Sequence, residues 1–253
     1  MELEFLGTSG AACPERGSQA FLLGGTIAID AGSLASGLCL ERARRIRTVL
    51  LTHRHFDHLR ELPLFLDNAG SLGAPACEVG AEAGTLACLA RHVFNWDLWP
   101  DPRRFEIPQA RFFTLRTGRT FRRGGLRITA VRLHHTVPSV GYVFRRGSAA
   151  AAILGDTGPS DAVFRRLARI RGLRFLTVEC SYPSRLDGLA RATLHLTPDL
   201  LAPGLAILRR AHPRLRVLAT HVKPCWTAEI QLELRRLDPP LEMARDGMRV
   251  RIF

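Results

Sequence analysis

Six residues, His53-Arg54-His55-Phe56-Asp57-His58, constrain this chain more than any other stretch. They hold three of its nine histidines and a carboxylate, directly after the apolar run Val49-Leu50-Leu51. A short apolar run bounded by Thr52 reads as the end of a buried β-strand. Side chains alternate along extended backbone, so His53 and His55 project to one side. Asp57 and His58 follow where the chain turns into the next helix. Imidazole nitrogens and carboxylate oxygens are ligands for zinc and similar divalent ions. Four such groups this close together can feed two adjacent cations rather than one.

One stretch cannot complete two cation sites, so further ligands must come from other strand ends. Three candidates follow apolar strands directly. They are His134-His135 after Val131–Leu133, Asp156 after Ile153-Leu154, and His221 after Val217–Ala219. Loops at one edge of a sheet are where such sites assemble. Taken singly, each would read as a buried structural residue; their common position after strands is what sets them apart.

The rest of the chain reads as strands with helices between them. Strands are expected at Met1–Leu6, Gln19–Leu23, Thr26–Asp30, Thr48–Leu51, Glu78–Gly80, Phe112–Thr120 and Leu126–Leu133. Others are expected at Tyr142–Phe144, Ala149–Leu154, Leu173–Val178, Leu215–Thr220 and Met248–Phe253. Helices are expected from Ala31-Gly32-Ser33 through Ala43, and over Glu61–Gly70, Ala81–Phe94, Asp161–Ile170, Thr197–Ala211 and Thr227–Leu237. Phe94–Pro102 carries two of the three tryptophans and two prolines; it suits a packed loop or subunit contact as well as a lid or pocket wall. No linker or low-complexity segment divides the 253 residues, so residues 1–253 are expected to form a single domain. Each half ends its strands in loops bearing metal-type residues, which suits two sheets packed face to face with helices outside.

Composition excludes some classes. No apolar run approaches the length of a membrane span. The alternating start Met1-Glu2-Leu3-Glu4-Phe5-Leu6 has no basic leader, so a cytoplasmic protein is expected. The six cysteines show no paired spacing and read as reduced thiols. The net charge of +13 invites a nucleic-acid partner. However, the arginines are scattered, without aromatic interleaving, and Lys223 is the only lysine. A scattered solvated surface is the better reading, although such a field would still draw in a phosphate-bearing substrate.

Thr52-His53-Arg54-His55-Phe56-Asp57-His58 matches the His-x-His-x-Asp-His motif, and the chain thereby resembles the metallo-β-lactamase superfamily. His135-Thr136-Val137-Pro138-Ser139-Val140-Gly141-Tyr142 resembles the third ligand motif of its ribonuclease Z-like branch, which selects His135 over His134. Gly155-Asp156-Thr157-Gly158 resembles the bridging-aspartate motif, and Thr220-His221-Val222-Lys223-Pro224 the final ligand motif. Glu179-Cys180-Ser181-Tyr182-Pro183 and His195-Leu196-Thr197-Pro198 resemble, in this order, class II cyclic-nucleotide phosphodiesterases and ribonuclease Z, with wording closer to the former. The resemblance implies an α/β fold, the αβ/βα sandwich of two packed mixed β-sheets with helices outside. It implies two divalent ions, zinc foremost, with manganese or iron as alternatives. His53, His55 and His135 would hold one, Asp57, His58 and His221 the other, and Asp156 would bridge them. One departure stands out: the phosphodiesterase signature places Gly or Ser third after His58, where this chain has Glu61. An acid at the mouth of the site would alter substrate fit.

The expected activity is hydrolysis of a phosphodiester by a cation-bridging hydroxide, with a 3′,5′-cyclic nucleotide as the leading substrate. Asp57 belongs to the catalytic machinery. His195 would protonate the leaving oxygen with Glu179 orienting its ring, and Lys223 with His195 would contact the phosphate. The nearest rival is a nuclease of the ribonuclease Z type acting on RNA. That branch usually inserts a basic arm between the Gly-Tyr strand and the Gly-Asp-Thr motif, whereas only thirteen residues separate Tyr142 from Asp156. Thioester or lactone hydrolysis and a non-catalytic, metal-stabilised nucleic-acid-binding protein are further alternatives. A homodimer follows from family analogy alone.

Overall fold

The computed structural model describes residues Met1–Phe253. Fourteen strands and eight helices alternate along it. The strands are β1 (Glu2–Gly7), β2 (Ala20–Leu23), β3 (Ile27–Ile29), β4 (Thr48–Leu50), β5 (Cys77–Ala81), β6 (Ala110–Thr114), β7 (Thr120–Arg123), β8 (Leu126–Arg132), β9 (Val140–Arg146), β10 (Ala149–Ile153), β11 (Leu173–Glu179), β12 (Arg216–Thr220), β13 (Glu242–Met243) and β14 (Arg249–Arg251). The helices are α1 (Leu40–Ala43), α2 (Phe56–Leu59), α3 (Leu62–Ser71), α4 (Ala83–His92), α5 (Asp161–Ala168), α6 (Asp187–Thr193), α7 (Pro198–Ala211) and α8 (Thr227–Arg236).

The strands form two seven-stranded mixed sheets, ordered β14-β1-β2-β3-β4-β5-β6 and β13-β12-β11-β10-β9-β8-β7. Strand chemistry explains the layering. On β2, Phe21 and Leu23 face the core between the sheets, while Ala20 and Leu22 face the helices outside. On β10, Ala151 and Ile153 point inward and Ala150 and Ala152 outward. Strands covered on both faces read as unbroken apolar runs, which is why Val49-Leu50-Leu51 and Ala149–Leu154 show no polar alternation. The inter-sheet layer holds Phe5, Phe21, Tyr142, Phe144 and Phe175, all buried. α3 and α4 cover the first sheet, and α5, α7 and α8 the second. The expected αβ/βα sandwich is the observed architecture.

Three local expectations are corrected. The helix read over Ala31–Ala43 shrinks to α1. Its first half cannot wind because the first N–H groups that would close helical turns, those of Ala35 and Ser36, are taken by the Glu61 carboxylate at 2.9 and 2.8 Å, while Ala31 and Gly32 N–H are tied to the His58 and Gln19 carbonyls. The same bonds relocate Glu61. It is buried at 6% exposure, accepts from the Ser36 hydroxyl as well and pairs with Arg60; it anchors a loop and does not stand at the mouth of the site. The strand read over Phe112–Thr120 is two strands in different sheets, β6 in the first and β7 in the second. Gly118 (φ +77°) turns the chain between them, its N–H bonded to the Ala130 carbonyl. Helix α6 has no counterpart in the sequence reading.

Candidate metal centre and active site

Parallel pairing of β3 with β4, of β10 with β11 and of β11 with β12 aims the loops after these strands at one edge of the sandwich. Each loop brings a polar group. Tyr142 ties the sheets together at this edge: its buried hydroxyl donates to the Leu51 carbonyl at 2.5 Å, and Val140 N–H donates to the Thr52 carbonyl. Gly141 lets the strands close, since a Cβ there would stand 2.6 Å from Leu154 Cδ2.

All seven expected ligands converge. The ligating atoms of His53, His55, His135 and Asp156 lie within 4.8 Å of one another, and so do those of Asp57, His58 and His221. Asp156 Oδ2 lies centrally: it is 3.6 Å from His53 Nε2, 3.8 Å from His135 Nε2, 3.4 Å from His58 Nε2 and 3.3 Å from His221 Nε2. His53 Nε2 and Asp156 Oδ1 are buried without any hydrogen-bond partner. Buried polar atoms are normally paired because leaving one bare costs kilocalories. A donor set of imidazoles around a carboxylate, with two bare atoms facing inward, fits divalent cations.

Electrostatics prepares these groups. Burial holds His53 well below its ordinary range, and neighbouring histidines add to this. Burial likewise lowers His55 to about 4, and also lowers His135, so all three present neutral lone pairs at pH 7. Burial would raise Asp57, but the His221 contact outweighs it and keeps the carboxyl ionised. Burial would also raise Asp156, yet His221, His58 and His53 hold it low. His58 runs the other way: burial opposes its charge, but Asp156 and Asp30 raise it well above the ordinary histidine range.

Asp30 was not singled out in the sequence, although it closes the expected third strand. Fully buried at φ +59°, it accepts Thr52 N–H at 2.8 Å, the Thr52 hydroxyl, Gln19 Nε2–H at 3.0 Å and His58 Nδ1–H at 2.7 Å. It thereby fixes the His58 ring with Nε2 toward the cluster, as carboxylates behind ligating histidines do. The only hint in sequence was a carboxylate at a strand end.

A second group sits beside the cluster. Glu179, at the end of β11, accepts His195 Nδ1–H at 2.8 Å and Thr157 N–H at 2.8 Å through one oxygen. The other takes the Ser181 hydroxyl at 2.6 Å and Leu196 N–H at 3.2 Å. His195 also lies within ligating distance of Asp156 and His221. Burial would lower its pKa, but Glu179 raises it above the ordinary histidine value. Lys223, expected at the phosphate, donates an ammonium hydrogen bond to the Gly10 carbonyl, and its charge is felt at His195. His134 turns away, its Nδ1 on the Pro159 carbonyl. The Phe94–Pro102 segment buries Phe94 and exposes Trp96 and Leu98, and none of it joins the cluster.

This fold and site are those of the metallo-β-lactamase class of proteins. A model of the beta-lactamase superfamily domain matches residues 28–222, and the chain belongs to that family. A probable 3′,5′-cyclic-nucleotide phosphodiesterase of Yersinia pestis is 26% identical, over 72% of this chain and 58% of its own. A ribonuclease Z of Kineococcus radiotolerans is 28% identical, over 76% of this chain and 64% of its own. The chain thus spans about three fifths of the length of these curated relatives. The crystal structure of unliganded yeast PDE1 superposes with a TM-score of 0.83 at 20% identity, covering 98% of each chain, and so shares the fold. No helix is long and apolar enough to cross a membrane.

Proposed function

We propose that this protein is a two-cation phosphodiesterase that hydrolyses 3′,5′-cyclic nucleotides, such as cyclic AMP, to 5′-nucleotides. The observation that carries the reading is the buried Glu179–His195 pair beside the ligand cluster. A proton donor next to two cation sites is what a departing alkoxide needs. Divalent cations, when bound, supply Lewis acidity toward phosphoryl oxygens and lower the pKa of water. His53, His55 and His135 would hold one, Asp57, His58 and His221 the other, with Asp156 shared.

The protein's own residues do the rest. Glu179 fixes the His195 ring through Nδ1 and favours its protonated form, from which Nε2–H would protonate the leaving 3′-oxygen. The net charge of +13 draws an anionic substrate toward the surface. Lys223, whose charge is felt at His195, would steady the phosphate with the hydrogens its Gly10 bond leaves free.

A nuclease of the ribonuclease Z kind is the second reading, favoured by the positive charge and by one relative's name. Against it, β9 and β10 pair Arg146 directly with Ala149 around the tight Gly147-Ser148 turn, which leaves no arm to grip a folded RNA. The zinc- or manganese-loaded protein should be incubated separately with cyclic AMP and with a precursor tRNA, using Asp57→Ala as the control. Conversion of cyclic AMP to 5′-AMP, absent in the control, is expected. Cleaved tRNA with intact cyclic AMP would transfer the protein to the nuclease reading.

A further inference from the structure

We infer that Ser181 is a positioning residue that ties the proton-donor pair to a ligand of the second cation, so that one carboxylate, Glu179, sets the ring tautomers of both His195 and His221. The inference rests on the two-cation reading above and adds a residue to it.

The argument is a count of protons. Glu179 receives four hydrogen bonds, two of them from backbone N–H groups that can only donate. A carboxylate so occupied acts as acceptor only. Ser181 has one hydroxyl proton, and the 2.6 Å contact to Glu179 Oε2 has the short length of a hydroxyl donating to a carboxylate. Its oxygen can then only accept from the imidazole nitrogens around it. His221 Nδ1 lies 3.0 Å away and His195 Nδ1 3.3 Å away. His195 already donates to Glu179 at the shorter 2.8 Å, so the bond Ser181 accepts is from His221 Nδ1–H. A neutral imidazole protonated at Nδ1 has its lone pair on Nε2. His221 Nε2, the atom facing Asp57 at 3.2 Å and Asp156 at 3.3 Å, can donate to Asp57 while the centre holds no cation and would give up that proton to ligate one.

The surroundings make this a built arrangement. Ser181 is fully buried. Its N–H donates to the Leu196 carbonyl at 2.9 Å and its carbonyl accepts Lys223 N–H, so its backbone bridges the loops carrying His195 and His221. The His221 ring has little room to turn otherwise: a Cβ on Gly10 would stand 2.6 Å from its Cε1, and it stacks on His195 at 18°. Removing the Ser181 hydroxyl would leave these backbone bonds in place while stranding one imidazole N–H and one carboxylate lone pair.

The test compares wild type with Ser181→Ala and Ser181→Thr, each stripped of metal and titrated with zinc against a chelator. Partners behind ligating histidines typically change cation affinity about 10- to 100-fold. Ser181→Ala should weaken one of the two zinc sites by that factor and leave the other unchanged; Ser181→Thr, which keeps the hydroxyl, should restore it. In parallel, 15N–1H spectra of the histidine rings should show His221 protonated at Nδ1, slowly exchanging in wild type and Ser181→Thr and fast in Ser181→Ala. Equal zinc affinities in wild type and Ser181→Ala, or a His221 ring with no proton on Nδ1 in wild type, would overturn the inference. Fewer than two zinc ions in wild type would instead overturn the two-cation reading, and this inference with it.

Discussion

At His195 two opposing influences meet, burial and a neighbouring carboxylate. At 7% exposure the ring should shed its charge, yet the Glu179 carboxylate at 2.8 Å reverses that preference. His195→Ala is therefore expected to keep its cation content by elemental analysis while turnover falls about 10²- to 10⁴-fold, the usual contribution of a positioned acid. Unchanged turnover would remove the proton-donor role. At this scale the sequence was legible where a residue's chemistry and its place after a strand coincide, as for His135, Asp156 and His221. It was not legible for Asp30 and Ser181, whose partners come together only in the folded chain. Gln19, Thr52 and His58 meet Asp30 across up to 28 positions, and His221 meets Ser181 across 40.

Elements were legible where packing enforces one period. β10 and α7 were found because an apolar run covered on both sides and a Thr197 cap before Pro198 leave few alternatives. The Ala31–Ala43 stretch failed because a remote carboxylate, Glu61, outcompetes helix formation for two N–H groups. Glu61→Ala is expected to cost about 2–3 kcal/mol in denaturant unfolding, since it leaves these donors and the Ser36 hydroxyl without their acceptor. A loss below half a kilocalorie would show that water replaces it. Glu4 on β1 fastens α1 and β14 through Arg42 and Arg249. Burial would raise its pKa, but Arg42 lowers it below the ordinary carboxylate value. A depressed carboxyl pKa contributes stability above the unfolded value and loses it as pH falls through the folded one. Glu4→Gln should therefore lose about 1 kcal/mol at neutral pH, with the gap to wild type closing as pH falls below the ordinary carboxylate range in parallel melts. A gap independent of pH would contradict this.

At the scale of the whole molecule, the two-sheet sandwich was legible from strands in both halves leading into ligand loops. The division of Phe112–Thr120 between sheets was not, because a single Gly118 turn decides it. The cluster draws on both sheets, so cations held there join them. Chelation of a zinc-loaded preparation is expected to lower the melting temperature by about 5–10 °C, the shift for a ligand present at about a hundred times its Kd. An unchanged melt in chelator would mean that no cation contributes to the folded state.

The distance along the chain between the joined groups has a further consequence. His58 and His221 Nε2 atoms stand 3.1 Å apart although 163 positions separate them in sequence. A ribosome must therefore release most of the polypeptide before the centre can exist at all. Until β12 has been made and paired, the early histidine loop lacks the far histidine that completes the cluster. Once the centre closes, binding at one point holds a loop of more than half the molecule, and a nick anywhere within that loop need not separate its ends.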